Sequence, residues 1–323
     1  MIKYIKGSWF EFQHYNTPEG VYWNPACASF NDADWDTKLK EISELGIEYL
    51  VLMIVGVDFK TYYDSNYYGK IILGCEDPIE AVLTSADKYG IKFFIGGGIF
   101  GEWKDVFKKM LFPEIARLYQ EGINEVAKKY ANHKSFYGWY WPDEPYIDKN
   151  FSEDYINYVN ICSKEARKLT PNGKILIAPY GTRVVVADEK YAKQLDILDV
   201  DIIAYQDEIG VRKTKVEESG GFFKNLRKVH DLVPRVALWA DVEIFECEGE
   251  VGISPLIPAD FNRIIKQFEV ISPYVDEILI YQYQGMMNKP NTKAFAGHPN
   301  STRLYKYYLE WMIKNYPEKL KGY

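Results

Sequence analysis

Phe136-Tyr137-Gly138-Trp139-Tyr140-Trp141-Pro142-Asp143-Glu144-Pro145 is an apolar run of strand length that stops at a proline and two acids. Pro142 has no amide hydrogen to give to a ladder, so a strand ends there and Asp143 and Glu144 emerge at its C-terminal end. Pro145 then restrains Glu144 to an extended conformation. An amphipathic helical stretch follows. The same unit recurs along the chain, with strands expected at Ser8–Phe12, Glu48–Ile54, Lys92–Gly96, Phe136–Tyr140, Lys174–Ala178, Asp201–Tyr205, Arg235–Ala240 and Glu277–Tyr281. Strand alternating with helix argues a parallel sheet, because parallel neighbours need a crossover.

Eight such units predict a (β/α)8 TIM barrel of the α/β class, a single domain over residues 1–323. About 250 residues is typical of that fold, and the excess here follows strands, at His14–Asn31, Val57–Glu76, Glu243–Pro258 and Gln284–Asn300. In a barrel these long loops lie over the C-terminal face, where active sites form. A doubly wound open sheet is the competing architecture. It is disfavoured because no GxGxxG follows the first strand and because the unit count matches closure.

Helix boundaries carry their own signals. Trp35, Leu39, Ile42 and Leu45 share one face of a helix over Asp34–Leu45, with Asp32 or Asp34 as its cap. Asp77-Pro78 opens the next helix and Gly90 closes it. Pro113, Pro258 and Asn300-Ser301 open later ones, and the last runs from Thr302 to Tyr316.

Composition narrows the function classes. The chain has 39 Lys+Arg against 46 Asp+Glu, a net charge of −7 without a concentrated basic run, which argues against nucleic acid as a partner. Apolar runs are strand-length, far below the roughly 20 residues that span a bilayer, so no membrane association is expected. No signal peptide is visible at the N-terminus, which gives a cytoplasmic expectation. Cys27, Cys75, Cys162 and Cys247 show no CxxC or CxxH spacing and read as reduced structural thiols. Four scattered histidines form no metal motif, so neither a metal nor another cofactor is expected.

The acids at strand ends point to chemistry. A carboxyl near Trp139, Tyr140, Trp141 and Tyr146 is partly desolvated, and desolvation raises its pKa toward that of a general acid. The competing reading makes Asp143 or Glu144 a turn or helix cap. On the seventh strand Val236, Leu238, Ala240 and Val242 alternate with Ala237, Trp239, Asp241 and Glu243, which face inward. Two inward acids are costly to bury without a partner or a purpose. Glu243 lies nearest the rim; an ion pair with Arg183, Arg212 or Arg235 is the competing reading.

Other strand exits supply ligand-binding candidates. They are Trp9, Glu11, Gln13 and His14 from the first, Trp141 and Asp143 from the fourth, and Tyr180 after the fifth. Gln206, Asp207 and Glu208 come from the sixth, Trp239 and Asp241 from the seventh, and Gln282 from the eighth. Acids and amides bond hydroxyl groups while ring faces cover C–H faces, a mixture suited to a carbohydrate partner. Tyr62-Tyr63, Tyr67-Tyr68 and Trp103 in the long loops are candidate extensions of this platform.

The chain resembles the bacterial glycoside-hydrolase-like (β/α)8 barrels grouped as a domain of unknown function. The residues carrying the resemblance are Gly7-Ser8-Trp9-Phe10-Glu11, Gly138 through Pro145, and Gln206-Asp207-Glu208-Ile209-Gly210. It is more distantly similar to the clan A glycoside hydrolases, which use an acid/base Glu after strand four and a nucleophilic Glu after strand seven. The resemblance implies Glu144 as acid/base and Glu243 as nucleophile of a retaining glycosidase. Clan members carry Asn-Glu-Pro where this chain has Asp143-Glu144-Pro145, and an ionised Asp143 accepts hydrogen bonds where Asn also donates. Asp207 or Glu208 is the alternative second carboxylate. A carbohydrate-binding barrel without catalysis is the competing function, since a fold does not carry its activity with it. A sugar-phosphate isomerase or aldolase ranks below both, lacking a phosphate loop after strands seven and eight or a strand-end lysine.

Overall fold

The computed structural model describes residues 1–98 and 112–322; Trp103 lies outside the described residues. Among them, eight parallel strands close into a barrel. They are β1 (Ile5–Phe10), β2 (Tyr49–Leu52), β3 (Lys92–Gly96), β4 (Phe136–Trp141), β5 (Lys174–Ile177), β6 (Ile202–Gln206), β7 (Ala237–Glu243) and β8 (Glu277–Tyr281). The order around the barrel follows the chain, and β1 pairs with both β2 and β8. The helices between and after them are α1 (Asp32–Glu44), α2 (Pro78–Tyr89), α3 (Pro113–Tyr130), α4 (Glu153–Leu169), α5 (Glu189–Ile197), α6 (Val216–His230), α7 (Phe261–Ile271) and α8 (Ser301–Asn315).

Local chemistry sets these boundaries, sometimes one residue away from the expected one. Asn31 rather than an aspartate caps α1, accepting from the amides of Ala33 and Asp34 while the Asp34 carboxylate takes the Asn31 amide. That reciprocal box engages three backbone amides and is worth about 1 kcal/mol. Asp77 accepts from the Glu80 amide at the start of α2, and Gly90 ends it in the left-handed region at φ 72°. Pro258 does not open a helix. It ends a strand, Leu256–Pro258, that pairs antiparallel with Phe245–Cys247 above the barrel mouth, and Asp260 caps α7 instead. The loop after β2 likewise folds into a small sheet, Gly56–Val57, Lys60–Thr61 and Gly69–Lys70.

Strand alternation divides two apolar layers. Leu238, Ala240 and Val242 of β7 join the layer between strands and helices, as do Trp139 and Trp141 of β4. Those two indoles stack at 6.0 Å and 18°. Trp9, Tyr49, Phe94, Tyr140, Leu176, Ala204, Trp239 and Leu279 fill the barrel interior instead. Trp239 packs on Tyr49 at 5.2 Å and edge-on to Phe94 at 6.2 Å, which plugs the barrel. Gly138 admits the neighbouring strand, since a Cβ there would sit 1.9 Å from the Lys174 carbonyl oxygen. Cys27, Cys75, Cys162 and Cys247 are all buried and unbridged. No helix among the described residues is long and apolar enough to cross a membrane.

Candidate active site

A cavity of about 160 Å³ opens at the C-terminal mouth of the barrel. For scale, an engineered void of roughly 150 Å³ holds one benzene ring. Its walls carry Glu144, Asp241 and Glu243 beside His14, Glu19, Gln206 and Tyr281. The carboxylates arrive there because β4 and β7 end beneath it and β7 presents Asp241 and Glu243 on its inward side.

Glu144 turns back over its own strand. Its Oε1 accepts from the Tyr140 hydroxyl at 2.6 Å and its Oε2 from Gln206 Nε2 at 2.8 Å. Burial outweighs both hydrogen bonds and pushes its pKa up to about 7. Glu243 accepts from the Val211 amide at 2.8 Å through Oε2. Burial, then the charge of Asp207, raises its pKa. Asp241 is raised well above the usual carboxylate range, by burial and by Glu144, Glu243 and Asp207. It is 3% exposed, and its Oδ1 has no hydrogen-bond partner. Burial and neighbouring like charge together keep this carboxylate cluster partly protonated near neutrality.

His14 forms the positive counterpart. Its Nδ1 lies 3.1 Å from Glu11 Oε2 and its Nε2 lies 3.0 Å from Glu19 Oε2. Although burial opposes the charge, the two glutamates raise its pKa to about 10. Glu11 is lowered: burial pushes it up, but the His14 charge and hydrogen bonds from His14, Gln282 and Trp23 prevail.

Of the fifteen side chains singled out in sequence, Glu144, Glu243, His14, Gln206 and Asp241 line this cavity. Glu11 and Gln282 stand behind His14, joined by a 2.6 Å bond from Gln282 Nε2 to Glu11 Oε1. Trp9 lies deeper, edge-on to Tyr140 at 5.8 Å, and Trp239 deeper still in the plug. Trp141 turns outward and donates its indole hydrogen to Ser163 on α4 at 3.0 Å. Asp143 also points at α4, where it takes the Tyr158 hydroxyl, and burial raises it to about 7. Asp207 accepts from Gln267 of α7 at 2.7 Å and from the Glu243 amide. Glu208 is held by Arg183 at 3.1 Å and by the Gly181 amide at 3.0 Å. Thus Arg183 pairs with Glu208 rather than with Glu243. Arg212 and Arg235 bond backbone carbonyls. Tyr180 is half-buried against Tyr146 and under the Lys213 ammonium, and Gln13 is half-buried in the loop after β1. Tyr62 and Tyr63 are buried, Tyr62 beside Phe12 and Tyr63 bonded to Glu125; neither these two nor Tyr67 and Tyr68 line the cavity.

Tyr15, Glu19, Met53, Val211, Phe245, Leu256 and Tyr281 line it too, and sequence reasoning did not single them out. For Tyr281 a signal was available: alternation along β8 places Glu277, Leu279 and Tyr281 on the inward side. Phe245 and Leu256 arrive through the hairpin above the mouth, which no periodicity announces. Among the described residues, no group of three or more His, Cys, Asp or Glu is arranged to hold a metal ion.

Residues 5–294 match the family model described as a domain of unknown function, DUF4434. The chain belongs to the DUF4434 family. No curated protein matches its sequence. Solved structures share the fold of this DUF4434 chain at low identity. A protein of Bacteroides thetaiotaomicron VPI-5482 described as a candidate alpha-L-fucosidase aligns with TM-score 0.75 and 18% identity, over 96% of this chain and 93% of that one. The endo-1,4-beta-mannanase of Rhizomucor miehei aligns with TM-score 0.61 and 12% identity, over 97% and 96%. The endo-beta-1,4-mannanase of Thermotoga petrophila aligns with TM-score 0.60 and 11% identity, over 99% and 78%. At such identities the likeness is one of fold.

Proposed function

We propose that this DUF4434 chain is a retaining glycoside hydrolase acting on a carbohydrate whose terminal ring enters the cavity. Glu144 protonates the glycosidic oxygen while Glu243 attacks the anomeric carbon, forming a glycosyl ester as the leaving group departs. Water then attacks the same carbon, Glu144 takes its proton, and the Glu243 carboxylate is released. The observation that supports this most is a buried Glu144, its pKa raised to about 7, sharing one sugar-sized cavity with Glu243. Its pKa near 7 keeps a proton available at neutral pH, as a general acid requires.

A second reading, a barrel that binds carbohydrate without cleaving it, draws on the raised pKa of Glu243. A nucleophile must be ionised, and Asp207 at its back opposes that. Turnover of p-nitrophenyl α- and β-glycosides by wild type and Glu144→Gln separates the two. Sugar binding without release of nitrophenol from any member favours the second reading. Product retaining the substrate's anomeric configuration, observed by NMR during hydrolysis, supports the first.

A further inference from the structure

His14 sits between two glutamates, and this arrangement fixes which way a third neighbour points. Glu11 Oε1 accepts from Trp23 Nε1 at 2.9 Å and Gln282 Nε2 at 2.6 Å, groups that can only donate. These bonds favour the ionised carboxylate, whose Oε2 faces His14 Nδ1 at 3.1 Å. On the other side of the ring, Glu19 Oε2 faces Nε2 at 3.0 Å. A histidine with a carboxylate at each nitrogen carries hydrogen on both.

The Tyr281 hydroxyl lies 3.0 Å from the same Nδ1. An N–H cannot accept, so the phenol oxygen accepts and its own hydrogen turns away from the imidazole. Among the described residues, His14 is the only hydrogen-bond partner of that hydroxyl. Tyr281 ends β8 directly opposite Glu243 at the end of β7, and both side chains line the cavity. The ring is fixed edge-on against Phe245 at 5.9 Å and against His14 at 6.2 Å.

We propose that Tyr281 is a substrate-contacting residue whose hydroxyl, oriented by the Glu11–His14–Glu19 array, donates to an oxygen of the sugar seated against Glu243. The inference rests on the reading of the cavity as a sugar site. The other polar walls are mainly carboxyls, which accept once ionised, so Tyr281 supplies a hydrogen donor whose direction is set before the ligand arrives.

The test uses Tyr281→Phe, which removes the hydroxyl and keeps the ring. Wild type and variant are assayed on p-nitrophenyl α- and β-glycosides of glucose, galactose, mannose, fucose and xylose. Binding of the free monosaccharides is followed by saturation-transfer NMR. The expected result is a loss of about tenfold in kcat/KM on the cleaved glycoside, with Tm within about 2 °C of wild type. A deoxy analogue of that glycoside lacking the contacted oxygen should be cleaved equally by both proteins, which a purely structural role does not predict. Cleavage by the variant within about twofold of wild type on every glycoside overturns the inference and leaves the hydrolase reading intact. Sugar binding that weakens about tenfold in the variant, with no cleavage by either protein, removes hydrolysis and keeps Tyr281 as a ligand contact. Wild type that neither cleaves nor binds any of these sugars overturns both.

Discussion

Tyr140 donates its hydroxyl to Glu144 Oε1 across 2.6 Å, although four positions separate the two residues along the chain. Tyr140 is the last inward ring of β4, and the chain beyond Pro142 returns Glu144 to it. A donor so placed favours the ionised carboxylate, so it moderates the rise that burial imposes.

Removing that hydroxyl therefore raises the pKa of Glu144. Tyr140→Phe is expected to move the alkaline limb of the kcat/KM profile upward by about half a unit or more. Because Tyr140 is fully buried and does not line the cavity, KM should change little. An unmoved alkaline limb separates Tyr140 from acid control.

The wild-type profile itself should be a bell near neutrality. Glu144 must hold a proton, so activity falls once pH rises past the raised values of the pair, about 7 for Glu144 and about 8 for Glu243. Glu243 must lose one, and its raised pKa brings the acid limb up from the usual carboxylate range. The two limbs describe the carboxylate cluster rather than single residues. Full activity at pH 4 contradicts this assignment.

Glu144→Gln and Glu243→Gln should each lower kcat by about 10² to 10⁴ while leaving the fold intact. Glu208→Gln serves as the contrast. It weakens the pairing with Arg183 and Lys213 and should lower Tm with kcat/KM changed less than about threefold. If Glu208→Gln abolishes turnover and Glu243→Gln does not, the second carboxylate has been misplaced.

Stability should fall on the alkaline side. Asp143 is raised from 3.8 to about 7, so the folded state holds a proton that the unfolded chain has released. Its stabilisation is complete below about pH 4 and is lost as pH climbs through about 7. His14, raised from 6.5 to about 10, acts in the same sense: its contribution is complete below about 6.5 and is lost on passing about 10. Glu11, lowered by the same pairing, works oppositely and is lost on acidification. Asp143→Asn should flatten the decline in Tm between about pH 4 and pH 7. An equally steep decline in the variant assigns it to other groups.

Pro142, the apolar run before it and the recurrence of strand and helix made the barrel legible in the linear chain. Backbone hydrogen bonding and burial period are local properties that neighbouring residues impose on one another. The same period placed Trp239 inward and Leu238, Ala240 and Val242 against the helices. It also brought Glu144 and Glu243 to one end of the barrel. What the linear chain left open was which polar side chains face the cavity. Asp143 and Glu144 are adjacent and chemically alike, yet one meets Tyr158 on α4 and the other meets Tyr140 inside. Asp207 and Glu208 were drawn away by Gln267 and Arg183, partners 60 and 25 positions distant. Hydrogen-bond partners are chosen by distance in space, and a buried carboxyl goes where a donor satisfies it. Only the closed barrel brings those donors into reach, and so only the tertiary structure separates the acids that hold the loops from those that face the cavity.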